Sequence, residues 1–389
     1  MVYDFETMVN RKVQGSMKWK DVEQNQIALS VADTDFVHPP ELVEGMKAIV
    51  TSTPMGYTNP TESYYRSIIK WFEERHNFSM NREAMIDSPG VVSALFELVD
   101  AFSESGDGII ILSPVYYPFT MSVERQGRRV VEVPLLLEET HYSIDFEGLV
   151  KAASDENNKA LIFCSPHNPV GRVWTKEELS RVGEICLEHG VIVISDEIHC
   201  DITMPSHHHI TMNSISESIN QNTILAVSAS KAFNLAGLQT AVIYIENKEL
   251  RDAFSSYKDT KALHILNTMG PKVTELAYEI GGAWLDAFNG LVASNAEYFK
   301  TFVSLNLPEI SVIPLEGTYL QWFDCRGMGL SDEDLNDFFL NDCGLVLDPG
   351  NLFGVHGDQF QRINVACSRA ILEESLNRIH ASWIARSLT

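Results

Sequence analysis

An α/β fold, with a mostly parallel sheet covered by helices, is the architecture this sequence predicts, and three observations predict it. Between roughly residues 85 and 246, short apolar runs alternate with amphipathic stretches. One strand–helix–strand crossover can be read from its capping residues. After about residue 285 the pattern changes to short strands flanked by helical stretches, as in an α+β unit.

Taken in order, residues 1–29 are polar and weakly periodic and read as an N-terminal arm packing on the smaller unit. Residues 30–285 read as a large domain and 286–389 as a small C-terminal one. Within the large domain, the runs 109–112, 160–164, 191–195, 224–228 and 241–245 read as buried strands. Their unbroken hydrophobicity suits a sheet covered on both faces. Thr175 and Glu178 form a capping box; Leu179, Val182, Ile185 and Cys186 then repeat at helical spacing. Gly190 closes that helix and the next strand begins at Val191, completing a βαβ unit. Further on, 318–323, 345–347 and 362–366 read as strands, and about 331–341 and 370–386 as helices.

The 389 residues exceed what one small core needs and suit two domains. Lys and Arg total 29 against 53 Asp and Glu, so the net charge is −24. Such acidity argues against nucleic-acid or anionic-membrane partners. No apolar run approaches a membrane span, and the acidic N-terminus is not signal-like. Six scattered cysteines without a CxxC pair read as reduced thiols in a cytoplasmic protein. His207, His208 and His209 read as a solvated turn rather than a metal site, since no second ligand cluster has zinc spacing.

The chemistry centres on Lys231, in the string Ser228-Ala-Ser-Lys-Ala-Phe-Asn-Leu-Ala-Gly237. A lysine just past a buried strand, among small residues, suits a Schiff base with an aldehyde cofactor. Its amine must be partly desolvated to act as a nucleophile near neutral pH. Asn168 lies in the strand-end string Ser165-Pro-His-Asn-Pro-Val-Gly171, and Asp196 ends the 191–195 strand. Ligands of open α/β sheets bind beyond the carboxyl ends of the strands, so these three residues can share one site. Asp196 could otherwise be a solvated strand-end acid, and Asn168 a turn residue. The amides of Gly90, Val91 and Val92 open a helix and suit a phosphate, although a plain glycine-containing helix start fits too. Ser228, shortly before Lys231, is a second phosphate candidate. Arg362 opens Arg-Ile-Asn-Val-Ala and is either a carboxylate clamp or a surface ion pair.

Together these strings resemble the fold-type I pyridoxal 5′-phosphate (PLP) enzymes, the aspartate aminotransferase superfamily, over nearly the whole chain. The resemblance implies a PLP-dependent transferase-like fold: a large domain on a mostly parallel seven-stranded sheet, and a smaller α+β C-terminal domain. It implies PLP on Lys231, with Asp196 keeping the pyridine nitrogen protonated and Asn168 bonding the phenolic oxygen. Tyr116 matches the ring-stacking aromatic, with Tyr117 as runner-up. Arg362 matches the grip on a substrate α-carboxylate. Tyr57 matches a tyrosine that reaches the neighbouring subunit's phosphate, which implies a homodimer with sites at its interface. Asp35 and Tyr57 join Arg362 as substrate contacts.

Within the superfamily the chain looks most like the cystathionine β-lyase branch of C–S lyases, often called the MalY/PatB type. The strings Val31-Ala-Asp-Thr-Asp-Phe36, Pro114-Val-Tyr-Tyr-Pro-Phe119 and Ser195-Asp-Glu-Ile-His-Cys-Asp201 carry this likeness. Where aminotransferases place a phosphate-binding arginine and a cofactor-contacting tyrosine, this chain has Gln239 and His199. The implied reaction is β-elimination from a small amino-acid substrate, L-cystathionine or another cysteine S-conjugate. An aminotransferase of the same fold is the alternative, and a PLP-binding modulator of a transcription regulator is a possible second role. Ser228-x-x-Lys231 also fits a penicillin-recognising pattern, but its companion motifs are missing.

Overall fold

The computed structural model describes residues 3–263 and 265–387. Its centre is the expected seven-stranded sheet, in the spatial order Met85–Ser88, Ala241–Ile245, Thr223–Val227, Ile192–Asp196, Asn158–Cys164, Gly108–Ser113, Arg129–Pro134. Six of the seven strands run in one direction, and Ala241–Ile245 alone is antiparallel, to both its neighbours. The strands 108–113, 223–227 and 241–245 are buried throughout. Helices cover both faces, which is why these segments read as continuous apolar runs.

Two strands escape the sequence pattern. Met85–Ser88 carries an aspartate and lies at one edge; Arg129–Pro134 lies at the other and is largely solvated on its outer side. Edge strands need no continuous apolar run, so periodicity alone does not mark them.

The crossover forms as its capping residues dictate. Glu178 N–H donates to Thr175 Oγ1 at 3.2 Å, and Thr175 N–H donates to Glu178 Oε2 at 2.8 Å, opening the helix Lys176–Glu188. Gly190 takes φ +69°, and Val191 N–H donates to Cys186 O at 2.8 Å. That bond belongs to the helix end, so the strand starts at Ile192, one residue later than expected.

A second sheet of four strands includes Ser311–Val312, Leu320–Asp324, Asp348–Pro349 and Phe360–Asn364. The strand expected from 318 begins at Leu320 because Thr318 sits at φ +69°. Its partner shifts accordingly, with Leu320 opposite Asn364 and Asp324 opposite Phe360. The 331–341 helix is Asp332–Asp337, widened into a π-turn over Phe338–Asp342. The last helix, Arg369–Ser387, follows the expectation closely.

The boundary expected near 285 falls inside one helix, Gly282–Asn306. The arm attaches at several points, among them the ion pairs of Arg11 and Lys18 with Asp35. Ile27–Ala28 pairs in parallel with Leu345–Val346, and Phe5 packs on Phe36, Trp284 and Phe288. All six cysteines are buried and unpaired. The histidine turn differs from its reading at one place. His208 is exposed, but His209 is buried with Nε2 2.6 Å from Glu197 Oε2, because Glu197 needs a partner inside the protein. Among the described residues no helix is long and apolar enough to cross a membrane.

Candidate active site

Strands 108–113, 158–164, 192–196 and 223–227 are parallel neighbours, so the loops that follow them open on one edge of the sheet. The chain leaves strand 108–113 for the outer edge at 129–134, then crosses back to 158–164 on its other side. A crevice opens at this reversal. Across it Tyr116 N–H donates to Asn168 O at 3.1 Å. The crevice deepens into a cavity of about 240 Å³ whose lining includes Gly90, Tyr116, Asn168, Asp196, His199 and Lys231. Residues more than a hundred positions apart thus meet because four strands point the same way.

Lys231 Nζ donates to the Ala32 carbonyl at 2.9 Å. Desolvation, with help from the Arg362 guanidinium, lowers its amine to about 8, against the opposing pull of Asp33 and Asp196. Asp196 is buried, and one of its oxygens accepts from Ile198 N–H at 3.1 Å. Burial raises its carboxyl to about 7, which marks an acid set to receive a cationic partner. His199 is buried and kept neutral by desolvation beside Lys231 and Arg362. Its Nδ1 has no hydrogen-bond partner among the described residues. Tyr116 lines the cavity and its phenol is raised by burial to about 12, whereas Tyr117 is 41% exposed and lies off the lining.

Gly90 precedes the helix Val91–Phe102 at φ +128°, a conformation that favours glycine, and a Cβ there would meet open space. The helix has no acidic residue in its first turn and no side-chain cap, so its first amides are left to an outside acceptor. Val91, Val92 and Ser93 line the cavity at this end, and Gln239 and Ser230 join them.

Arg362 stands behind Asn168. Its Nη1 donates to Asn168 Oδ1 at 2.7 Å, and Nε and Nη2 both donate to Asp348 Oδ2, the former at 3.2 Å. The guanidinium also lies 4.7 Å from the Phe353 ring centre. With its oxygen occupied, Asn168 presents its amide N–H groups to the cavity.

Arg362 thus lies behind the cavity lining rather than in it, and three further sequence candidates are also placed off the lining. Asp35 does not reach this cavity, because its carboxylate is taken by Lys18 at 2.9 Å, Trp19 at 3.0 Å and Arg11 at 3.1 Å. Ser228 Oγ donates to Thr240 O at 2.6 Å and lies 2.8 Å from Ser230 Oγ. Ser230, not Ser228, therefore lines the cavity. Tyr57 is 98% exposed and contributes nothing to the cavity of its own chain. The sequence reading had missed Ser93, Ser230 and the Ala32 carbonyl. The serines carry a weak signal, being neighbours of motif residues, but a backbone carbonyl carries none.

These residues fit pyridoxal 5′-phosphate: an amine near neutrality, a buried acid awaiting a cation, an unpartnered histidine nitrogen, and a helix start open to an anion. One consequence can be measured directly. Only the neutral amine attacks an aldehyde, so the rate at which apo-protein takes up the cofactor rises through pH about 8. A midpoint near the ordinary lysine value of about 10.4 would contradict the desolvated environment.

The chain matches the family "Aminotransferase class I and II" over residues 24–379. It is 36% identical to cystathionine beta-lyase PatB of Bacillus subtilis, covering 97% of this chain and 99% of that one. It is 28% identical to protein MalY of Escherichia coli, covering 96% and 97%. Among solved structures, cystalysin from Treponema denticola, which contains a pyridoxal 5′-phosphate cofactor, superposes with TM-score 0.97 at 40% identity, covering 100% of each chain. The PLP-bound C–S lyase of Staphylococcus hominis gives 0.91 at 31% identity over 99% of each. A PLP-bound putative aminotransferase from Clostridium difficile gives 0.95 at 37%, covering 98% of this chain and 100% of that one. With the match spanning both sheets and every loop of the cavity, the chain belongs to the class I and II aminotransferase family.

Proposed function

We propose that the protein is a pyridoxal 5′-phosphate-dependent C–S β-lyase, which converts L-cystathionine or a related cysteine S-conjugate to thiol, pyruvate and ammonia. The observation that carries this reading is the Lys231 amine, lowered to about 8 in one cavity with the buried Asp196. The lyase relatives, and Gln239 and His199 in place of the aminotransferase arginine and tyrosine, support elimination over nitrogen transfer.

The bound cofactor supplies an electron sink for the pair left at the substrate Cα. The chain supplies the rest. Arg362 holds the α-carboxylate through guanidinium N–H groups that its bonds to Asp348 keep in place. Lys231 takes the proton from Cα as general base, which an amine at about 8 can do near neutral pH. With the cofactor bound, Asp196 would hold the pyridine nitrogen as a carboxylate, since a cationic partner reverses the rise that burial alone causes. Asn168 would donate an amide N–H to the cofactor's phenolic oxygen. The Cβ–S bond breaks with its electron pair going to sulfur, which leaves as thiolate. The unsaturated amine that remains hydrolyses to pyruvate and ammonia.

L-cystathionine supplied without any keto acid tests this. Sustained release of thiol and pyruvate in equal amounts is expected. Release of neither, with nitrogen transfer once a keto acid is added, would assign the chain to its aminotransferase relatives.

We also propose a homodimer, with Tyr57 reaching the partner's phosphate site. Its support is the near-complete exposure of Tyr57, beside Met55 at 57% and with Ile265 at 71%. The division into an arm, a large domain and a small domain is proposed to run along the helix Gly282–Asn306. The buried, unpaired cysteines support a reducing, cytoplasmic setting.

A further inference from the structure

We propose that Tyr319 is a positioning residue for the Lys231 amine, acting through the backbone carbonyl of Ala32. The inference rests on Lys231 as the carrier of the Cα proton, but not on the fate of the substrate's sulfur.

The Ala32 oxygen accepts two hydrogen bonds, from Lys231 Nζ at 2.9 Å and from Tyr319 Oη at 2.9 Å. Ala32 belongs to a segment pinned along its length. Asn364 Nδ2 donates to the carbonyls of Val31 at 3.0 Å and Asp33 at 2.8 Å. Asn234 accepts from Thr34 N–H at 3.1 Å and donates to Thr34 O at 2.9 Å. The Ala32 carbonyl is the acceptor this segment gives the lysine, and a tyrosine hydroxyl holds it.

Tyr319 is itself carefully placed. It is 1% exposed, with its ring centre 6.0 Å from that of His199 and 5.9 Å from that of Phe288, both at steep angles. The residue before it, Thr318, is buried at φ +69°, a conformation a β-branched side chain rarely takes. Local bonds hold it there: Thr318 N–H donates to Ile202 O at 2.8 Å, and Leu320 N–H donates to Thr318 Oγ1 at 3.1 Å. At Gly317 a Cβ would stand 2.8 Å from Val173 and 2.9 Å from Pro166, so the approach to this turn is closed to larger residues. Backbone strain kept at such a site is a mark of a position that the surrounding structure enforces.

The arrangement has a consequence for the base. A free amine that points one N–H at a fixed carbonyl leaves its lone pair two directions in place of free rotation. Burial raises the Tyr319 phenol far above its usual range, so it stays an O–H donor and carries no proton itself. The charged groups around the amine are Asp33, Arg362 and Asp196. None of them donates to the Ala32 carbonyl. Without the tyrosine hydroxyl the neighbouring bonds of Asn364 and Asn234 still hold the segment, but the Ala32 oxygen keeps the lysine as its one partner among the described residues and sets the amine's direction less firmly.

The test is Tyr319→Phe, which removes one oxygen and keeps the ring contacts. L-Alanine has no leaving group at Cβ, so exchange of its α-proton with D₂O, followed by ¹H NMR, reads proton transfer alone. Exchange per bound cofactor is expected to slow by about three- to tenfold, the loss of one hydrogen bond. A second reading needs no turnover. A carbonyl released from Tyr319 serves the lysine ammonium better, so the pH midpoint of cofactor uptake by apo-protein moves up by about half a unit. Slowing of less than about twofold, or slowing that disappears on correction for bound cofactor, overturns the proposal. Should the variant hold too little cofactor for exchange, an unmoved uptake midpoint overturns it and an upward move supports it. A parent enzyme that exchanges the alanine proton yet releases no thiol from L-cystathionine sinks the lyase reading and leaves this one standing.

Discussion

Lys231→Ala is expected to lower thiol release from L-cystathionine by at least about 10³-fold, the upper range for loss of a general base that also binds the cofactor. No other described group in the cavity can replace it. His199 is neutral and able to accept, but burial and two nearby cations hold its basicity well below that of free imidazole. Asp196 is committed to the cofactor nitrogen, and Tyr116 holds its proton to about pH 12. Lys231→Arg separates charge from basicity. Its guanidinium keeps a cation beside Ala32 but stays protonated in proteins, so the variant should be as inactive as the alanine one. The measurement is kcat from initial rates of thiol and pyruvate formation, with circular dichroism to establish folding. Activity within about tenfold of the parent would remove Lys231 from the mechanism.

The second large effect is at Arg362. Truncation to alanine is expected to lower kcat/KM for L-cystathionine by about 10²- to 10³-fold, the range for deleting one partner of a buried, hydrogen-bonded charge pair. Two losses combine in it. The substrate carboxylate loses its cation, and the cavity wall loses the group that holds Asp348 and Asn168 Oδ1. Arg362→Lys should recover about tenfold at most, because a point charge cannot reach Asp348 and Asn168 together as the planar fork does. A substrate analogue without the α-carboxylate distinguishes the two losses. If the grip dominates, parent and variant handle the analogue alike; if the wall dominates, the variant remains impaired with it. An unchanged KM for L-cystathionine in Arg362→Ala would refute the carboxylate assignment.

What was legible in the sequence was whatever local chemistry dictates. The apolar runs at 109–112, 160–164 and 224–228 were legible as buried strands, since each is short, is closely flanked by Gly, Asn, Ser or Pro, and suits a sheet covered on both faces. Thr175 and Glu178 set the start of their helix through bonds between residues three apart, so no distant contact could overrule them. Lys231, Asp196 and Asn168 were legible because each ends or follows a strand of one parallel set, and parallelism alone brings those strand ends to one edge.

The tertiary structure decided whatever depends on a partner far away in the chain. Asp35 reads in sequence like an active-site acid, but Lys18, Trp19 and Arg11 fold back and consume its carboxylate. Ser228 was the natural choice for a hydroxyl beside Lys231; the course of the strand at Thr240 draws it away and leaves Ser230 in the lining. Edge strands 85–88 and 129–134 were invisible because polar residues, Asp87 in one and Arg129 and Glu132 in the other, interrupt the apolar pattern. The pairing of Tyr319 with Ala32 spans 287 residues and ends on a backbone carbonyl, which every residue possesses. Periodicity and capping are short-range and written in side chains, so a sequence displays them. Which carbonyl, which oxygen and which pKa a side chain finally meets is set by burial, and burial exists only once the whole chain has closed around the site.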